Sequence, residues 1–120
     1  MTAQKNKQIA ELWFQAFNAH HLNGLLDLYH NDARHYSPKL KIREPHTQGL
    51  ISGKAALKAW WQDAFTRLPD LHYKVSALTA DEHRVFMEYI RQVPGEEDLL
   101  VGEVLEIEND KIVFSRVYHG

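Results

Sequence analysis

The second half of the chain constrains the fold most, because it contains four extended segments joined by short turns. The segments are residues 71–79 (LHYKVSALT), 84–93 (RVFMEYIRQV), 99–108 (LLVGEVLEIE) and 111–119 (KIVFSRVYH). All four contain the β-branched and aromatic residues that favour strands. Turns as short as Asn109-Asp110 join consecutive antiparallel strands. The pattern therefore predicts an antiparallel meander.

The first half of the chain is predicted to be mainly helical. Apolar residues recur at three- and four-residue steps over residues 4–19, which is typical of an amphipathic helix. A short second helix is predicted around residues 25–29, and a third begins at Ser52 as N-cap and runs to Leu68. Helices followed by a meander predict an α+β fold, in which three helices cover one face of a curved, mainly antiparallel sheet.

The segment HNDARHYSP lies between the second helix and the loop that follows it. Within it, Asn31-Asp32 predicts a turn and Ser37-Pro38 ends the segment, so only about five residues can be extended. Alternation along a strand would place Ala33, His35 and Ser37 on one face, and Arg34 and Tyr36 on the other. One face of this short strand is therefore expected to carry an imidazole and a hydroxyl.

Residues 37–52 (SPKLKIREPHTQGLIS) show no clear period and contain two prolines and a glycine. They predict a long loop that is basic at Lys39, Lys41 and Arg43. A loop of this length in a small domain is either a binding loop or a solvated excursion, and the sequence favours neither.

The composition is that of an ordinary globular chain and excludes several classes of function. The 120 residues predict one domain, residues 1–120. A net charge of −2 with mixed signs excludes an electrostatic nucleic-acid site, and the lack of cysteine excludes disulfides and thiolate catalysis. No apolar run approaches the roughly 20 residues that span a bilayer, and the N-terminus lacks the apolar core of a signal peptide. We therefore expect a cytoplasmic location and no nucleic-acid or membrane partner.

The predicted sheet has a second apolar face that the helices would leave uncovered. Its residues are Phe86, Ile90, Val104, Phe114 and Tyr118. An apolar face of this kind needs a partner, most simply a second copy of the chain. The sequence therefore predicts a homodimer formed through the outer face of the sheet.

Four stretches resemble the SnoaL-like and ketosteroid-isomerase-like branch of the nuclear transport factor 2-like superfamily. They are AFNAHHLNGLLDLYHNDARHYSP, ISGKAALKAWWQDAF, LPDLHYKV and VLEIENDKIVFSRVYHG, which together span nearly the whole chain. The resemblance implies a cone-shaped, cystatin-like fold with a pocket between the helices and the concave sheet. It also implies a single SnoaL-like domain that commonly forms dimers.

The isomerase pattern of this branch carries over only in part. Its general-base aspartate falls at Ser37, and a hydroxyl cannot replace a carboxylate at neutral pH without a base of its own. Its oxyanion-donating tyrosine falls at Trp13, whose indole N–H can donate a hydrogen bond but is a poor acid. Its protonated second acid falls at Glu103, which matches. Two of the three positions depart from the pattern, so steroid isomerisation is not predicted.

The resemblance implies a pocket in which His35 and Glu103 are the catalytic candidates. Glu103 stands among apolar neighbours and needs a partner there, for which His35 or an ordered water is the candidate. The implied substrate-binding residues are Trp13, Phe17, Tyr29, Ser37, Trp61, Phe65, Tyr73, Met87, Tyr89, Val101, Ser115, Val117 and His119. A slip of one residue in the strand 84–93 would bring Glu88 inward in place of Met87 and Tyr89.

Two functions follow from this pocket. The first is a cofactor-independent isomerase, cyclase or dehydratase, in which His35 moves a proton on a small apolar carbonyl compound while Glu103 or Trp13 binds the oxyanion. The second is a non-catalytic ligand-binding or dimerisation module, in which His35 is a satisfied core residue and Glu103 a salt-bridge partner at the rim. Neither a metal nor another cofactor is expected, because no compact histidine cluster or phosphate-binding loop is visible.

Overall fold

Six strands form one curved sheet, and the helices pack against its concave face. The computed structural model describes residues 2–119, so residues 1 and 120 of the predicted domain lie outside it. In chain order the elements are α1 (Ala3–Asn18), α2 (Leu22–Leu26), β1 (Tyr29–Tyr36), α3 (Pro38–Arg43), β2 (Leu50–Ser52), α4 (Lys54–Arg67), β3 (His72–Ala80), β4 (Arg84–Gln92), β5 (Leu99–Glu108) and β6 (Lys111–His119).

The strand order is β2-β1-β6-β5-β4-β3. Strands β3 to β6 form the predicted meander, and β1 joins it by pairing in parallel with β6. The other neighbouring strands are antiparallel. The α+β fold class and the mainly antiparallel sheet are thus confirmed, with three helices as predicted and α3 in addition.

Helix α1 begins where Thr2 caps it, because the Thr2 hydroxyl accepts a hydrogen bond from the Lys5 N–H at 3.1 Å. Its apolar stripe is buried against β3 and β4, and Trp13 and Phe17 are each no more than 2% exposed. Helix α4 packs on β1. The two helices therefore stand on different parts of the sheet and leave space between them.

The register of β4 decides which side chains face the helices. Val85, Met87, Tyr89 and Arg91 are buried, whereas Glu88 is exposed. The strand therefore keeps the register with Met87 and Tyr89 inward, and the alternative with Glu88 inward is wrong.

The prediction of a long loop over residues 37–52 is also wrong. Ser37 and Pro38 start helix α3, because the Ser37 hydroxyl accepts from the Lys39 N–H at 3.2 Å and proline suits the first helical position. A 3-10 turn at Pro45–Thr47 and strand β2 follow. Short polar helices have no apolar period, which is why the pattern did not indicate α3.

Two predicted boundaries move as a result. Ser52 is the last residue of β2 and pairs with Arg34, so Gly53 rather than Ser52 is the N-cap of α4. Tyr29 begins β1 instead of ending the second helix, and β1 has eight residues. Within the described residues, no helix is long and apolar enough to cross a membrane.

We expect Gly49→Ala to lower the free energy of unfolding by about 3 kcal/mol, because it combines a left-handed backbone with a steric clash. Gly49 has φ of +88°, and a Cβ there would lie 2.7 Å from Cε2 of Tyr36. Gly95 has a similar φ of +86° with no atom within 4 Å of its Cβ position, so Gly95→Ala should lower that free energy by only about 1 kcal/mol. Urea unfolding of both variants measures the difference, and equal losses would exclude the clash with Tyr36.

Candidate functional site

A cavity of about 280 Å³ lies between the helices and the concave face of the sheet. Strands β1, β3, β4, β5 and β6 supply one wall, and α1, α3 and α4 supply the others. The lining residues are Trp13, Phe17, His35, Ser37, Lys39, Ile42, Arg43, Trp60, Trp61, Ala64, Arg67, Leu68, Leu71, Tyr73, Tyr89, Arg91, Glu96, Val101, Glu103, Val117 and His119. His35 and Glu103, the two catalytic candidates from the sequence, thus face one cavity.

A chain of buried hydrogen bonds holds His35 in place. The Trp13 indole N–H donates to the Tyr29 hydroxyl at 3.0 Å, and the Tyr29 hydroxyl donates to Oγ of Ser115 at 3.0 Å. Oγ of Ser115 lies 2.6 Å from Nδ1 of His35. We call these four residues the Trp13–His35 relay. It connects α1, β1 and β6.

The relay engages Nδ1 of His35 in both neutral tautomers of the ring. An indole can only donate, so the Tyr29 oxygen accepts from it and sends its own hydrogen to Ser115. When Ser115 in turn donates to Nδ1, that nitrogen is the acceptor and Nε2 carries the hydrogen. In the other tautomer Nδ1 donates to Ser115 and Nε2 is the free acceptor. Either way Nε2 is the nitrogen left for a molecule in the cavity.

Burial keeps His35 neutral. The side chain is 3% exposed, and burial lowers its pKa to about 4, although a hydrogen bond to Ser115 opposes the shift. The ring also packs against Trp61, with 5.3 Å between ring centroids. At neutral pH His35 is therefore an uncharged imidazole, which can donate or accept one hydrogen bond in the cavity.

Glu103 is the other buried ionisable group of the cavity. It is 1% exposed, and its Oε1 accepts a hydrogen bond from the Tyr89 hydroxyl at 2.7 Å. Its Oε2 is buried and has no hydrogen-bond partner among residues 2–119. Of the two partners expected for Glu103, His35 is wrong, because the phenol of Tyr89 on the adjacent strand donates to Oε1; an ordered water at Oε2 stays a prediction. The rim salt bridge considered as an alternative is also wrong, since the side chain is fully buried.

Burial raises the pKa of Glu103 to about 7, against the lowering effect of the hydrogen bond from Tyr89. Burial, followed by the negative charge of Glu103, raises the pKa of Tyr89 and Tyr73, so both phenols stay protonated. Near neutral pH the carboxyl is therefore accessible in both its neutral and its ionised form. A group in this state can take up or release a proton with little cost.

The sheet sets the spacing between the two candidates. His35 pairs with Ser115 on β6, and Glu103 pairs with Val117 on the same strand. The two Cα atoms are therefore two strand spacings apart, roughly 9–10 Å, and two residues along the strands, roughly 7 Å. Side chains that project from these positions into one cavity leave room for a ring between them.

Stacked aromatic rings form one wall of the cavity. Phe17 stacks on Trp13 at 5.1 Å and on Tyr73 at 4.0 Å between ring centroids, and Tyr73 stacks on Tyr89 at 4.2 Å. Trp60 and Trp61 line the cavity from α4. These faces suit a flat, largely apolar ligand.

Nine of the thirteen predicted substrate-binding residues line the cavity, and four do not. The four are Tyr29, Phe65, Met87 and Ser115, which are buried behind the lining. Tyr29 and Ser115 are held in the Trp13–His35 relay, and Phe65 packs its ring against Phe17 at 5.1 Å. These residues support the lining instead of touching the cavity. The prediction included them because alternation gives the face of a strand but not the depth at which a side chain ends.

The cavity also has cationic residues that were not among the predicted site residues, although Lys39 and Arg43 were noted as basic positions of a segment that could bind a ligand. Lys39 and Arg43 come from the segment that was predicted as a loop, and Arg67 from the end of α4. Arg91 follows Val85, Met87 and Tyr89 on the inward face of β4, so the alternation that placed those residues would also have found it. In the part of the chain that the structure covers, no three His, Asp or Glu side chains are grouped to hold a metal ion.

We expect Glu103→Gln to stabilise the protein increasingly as the pH rises, because the amide replaces a carboxyl that must otherwise ionise in the interior. A raised pKa means that Glu103 contributes its stability below the pKa of an unfolded glutamate and loses it as the pH rises through about 7. The shift from 4.5 to about 7 corresponds to up to about 3 kcal/mol.

Urea unfolding at about pH 5 and about pH 8 measures this change in the difference between variant and wild type. Glu88→Gln, on the exposed face of the neighbouring strand, is the control and should leave the difference constant. A constant difference for Glu103→Gln as well would show that the carboxyl is not held in its neutral form.

The comparisons with known proteins agree with this fold. The SnoaL-like domain profile matches residues 10–115. A SnoaL-like protein of unknown function from Burkholderia thailandensis superposes with a TM-score of 0.89 and 27% identity, covering 99% of this chain and 97% of that chain. No curated protein matches the sequence.

Two more distant structures support the fold alone. A nuclear transport factor 2-like protein from Anabaena variabilis superposes with a TM-score of 0.79 and 20% identity, covering 99% of this chain and 89% of that chain. A protein with a ketosteroid isomerase-like fold from Catenulispora acidiphila, in complex with trimethylamine, has a TM-score of 0.73 and 16% identity, covering 92% and 83%. The resemblance predicted from the sequence is confirmed in its fold, which these nuclear transport factor 2-like and ketosteroid isomerase-like structures share, and the chain belongs to the SnoaL-like domain family.

Proposed function

We propose that the protein binds a small, largely apolar, carbonyl-bearing molecule in its cavity and catalyses proton transfer on it without a cofactor, as an isomerase, cyclase or dehydratase. The observation that carries the proposal is Oε2 of Glu103, a buried carboxyl oxygen without a partner in the described chain, on a residue that lines the cavity. An unpaired oxygen of this kind costs several kcal/mol, which a bound ligand can offset.

In this proposal Glu103 moves the proton and His35 binds the carbonyl oxygen. With a pKa of about 7, the Glu103 carboxylate can remove a proton from the carbon next to the carbonyl and return it to another carbon. The electron pair of the broken C–H bond forms a C=C bond, and the carbonyl π electrons move onto the oxygen, so the substrate becomes an enolate with its negative charge on that oxygen. Neutral His35 with hydrogen on Nε2 can donate to that oxygen.

These roles are the reverse of those expected from the sequence, and the pKa values are the reason. An imidazole whose conjugate acid has a pKa of about 4 is a weak base. Trp13 is no longer a candidate for the oxyanion, because its N–H already donates to Tyr29. The aromatic wall of Phe17, Tyr73 and Tyr89 would hold the ring of the ligand.

A second candidate function is a non-catalytic ligand-binding module with the same cavity. It is favoured by Ser37, which stands at the position of the base in the isomerase pattern and uses its hydroxyl to cap α3. The two candidates differ in whether the bound ligand exchanges protons.

We expect the wild-type protein to accelerate exchange of the α-protons of a cyclic ketone such as α-tetralone in D₂O, as followed by proton NMR. Because Glu103 acts as the base, the rate should rise with pH around a midpoint near its pKa of about 7. Glu103→Gln should lower the rate at least about a hundredfold and His35→Ala about tenfold or more, whereas Glu88→Gln should match the wild type. A ketone that binds but exchanges no faster than without protein would favour the ligand-binding module.

We also propose that the protein forms a homodimer through the outer face of the sheet. Phe86 and Tyr118 are 39% and 51% exposed there, and Leu100 is 55% exposed. Phe114 on the same face carries the guanidinium groups of Arg34 and Arg116 at 4.4 and 4.8 Å from its ring centroid. Phe86 covers Gly102, where a Cβ would lie 2.9 Å from its ring, so the face is flat at its centre. A flat apolar face with a charged edge is typical of a subunit interface.

We expect light scattering at micromolar concentration to give twice the chain mass of 14.0 kDa. Leu100→Asp should shift the protein to the monomer, because it places a charge in the proposed interface. Leu12→Asp, at a leucine that is 49% exposed on α1, introduces the same change elsewhere and should leave the dimer intact. A wild-type protein that is monomeric at this concentration would refute the proposal.

A further inference from the structure

The outer end of the cavity is cationic, although the chain as a whole has a net charge of −2. Four basic side chains line this end together with His119: Lys39, Arg43, Arg67 and Arg91. We call Lys39, Arg67, Arg91 and His119 the mouth cluster. It comes from α3, α4, β4 and β6, so separate parts of the chain converge there.

The carboxylates near the mouth do not balance these charges. Asp63 lies 2.7 Å from Arg67 and 3.7 Å from Arg43, and is shared by both. Glu96 pairs with Arg91 at 2.8 Å. Lys39 has no ion-pair partner among residues 2–119. The four basic side chains, Lys39, Arg43, Arg67 and Arg91, therefore face two carboxylates, Asp63 and Glu96, which leaves an excess of two positive charges.

The members of the mouth cluster affect one another electrostatically. Burial and then the charge of Arg91 lower the pKa of Lys39, which Glu96 opposes. Burial, followed by the charges of Lys39 and Arg91, lowers the pKa of His119. Water screens such charges strongly on an open surface, but less at the partly buried mouth of a cavity. An anion between them would relieve this repulsion.

Arg91 distinguishes this cluster from a rim of solvated lysines and arginines. Its side chain is 9% exposed and lies on the inward face of β4, two residues beyond Tyr89. Two residues along a strand correspond to roughly 7 Å. In the sheet register, His119 lies two residues beyond Val117, which pairs with Glu103, so the mouth cluster begins about one aromatic ring from the carboxyl. Arg91 lies four residues beyond Met87, the Glu103 pair on β4, and marks the outer side of the cluster.

We propose that the mouth cluster binds a carboxylate of the substrate, so that the substrate is a small cyclic or aromatic keto acid with its carbonyl and carboxylate about one ring apart. This inference rests on the proposed function, because it places the carbonyl at His35 and Glu103. The apolar ring lies against the stacked wall of Phe17, Tyr73 and Tyr89. Lys39, which lacks a protein partner, supplies the charge that the carboxylate satisfies.

Calorimetric titration of the full-length protein with para-acetylbenzoate and its neutral analogue para-acetylbenzamide tests the inference. We expect the acid to bind about tenfold more tightly than the amide at low salt, and the preference to shrink as salt is added. Lys39→Gln should weaken binding of the acid about tenfold and leave the amide unchanged.

Lys41→Gln is the matched control, because Lys41 lies on the same short helix and is exposed outside the cavity. It should retain the preference for the acid. Equal affinities for acid and amide in the wild type, equal effects of the two lysine variants, or no binding of the acid at millimolar concentration would each overturn the inference.

Proton exchange at the acetyl group of the same acid separates this inference from the proposed function. An acid that binds with the expected preference but does not exchange supports the anion site and contradicts the catalytic role of Glu103. If the protein binds the acid and the amide equally tightly and accelerates proton exchange in both, the result supports catalysis by Glu103 and contradicts the anion site.

Discussion

The structure depends on how a few polar groups are satisfied within an aromatic interior. The Trp13–His35 relay connects α1 to β1 and β6 across the parallel strand pair, so it joins the helix layer to the strands that are farthest apart in sequence. Each member has a partner, and these hydrogen bonds offset much of the cost of burying polar groups. Because the relay fixes the imidazole of His35 in one orientation, the wall of the cavity is set before any ligand binds.

Glu103 behaves in the opposite way, since only one of its carboxyl oxygens has a protein partner. A buried carboxyl of this kind lowers the free energy of unfolding as the pH rises through neutrality, unless a bound ligand stabilises it. The contrast between the satisfied imidazole and the unsatisfied carboxyl is the reason for assigning proton transfer to Glu103. The cations at the mouth add a second kind of recognition, since they lie on separate elements that only the folded chain brings together.

Most of the sheet and part of the site could be predicted from the sequence because strand alternation is a local property. Met87 and Tyr89 face inward because the apolar residues of β4 alternate, and His35 and Glu103 face the cavity for the same reason. Helix α3 was missed because its six residues start from a polar cap and bury only one leucine, Leu40. Tyr29 and Ser115 were predicted to line the cavity but lie behind the lining residues, since alternation gives the direction of a side chain but not its depth.

The sequence by itself determined the order of α1, α2, α4 and the strands β1 and β3 to β6, the face on which most strand residues lie and the family to which the chain belongs. These follow from periodicity and from motifs, which act over a few residues. Only the tertiary structure decided that Tyr89 rather than His35 pairs with Glu103, that Trp13 is engaged by Tyr29, and that Lys39 and Arg91 meet at one mouth. Hydrogen bonds and charges of this kind depend on distances between residues far apart in the chain, and burial then sets their pKa values.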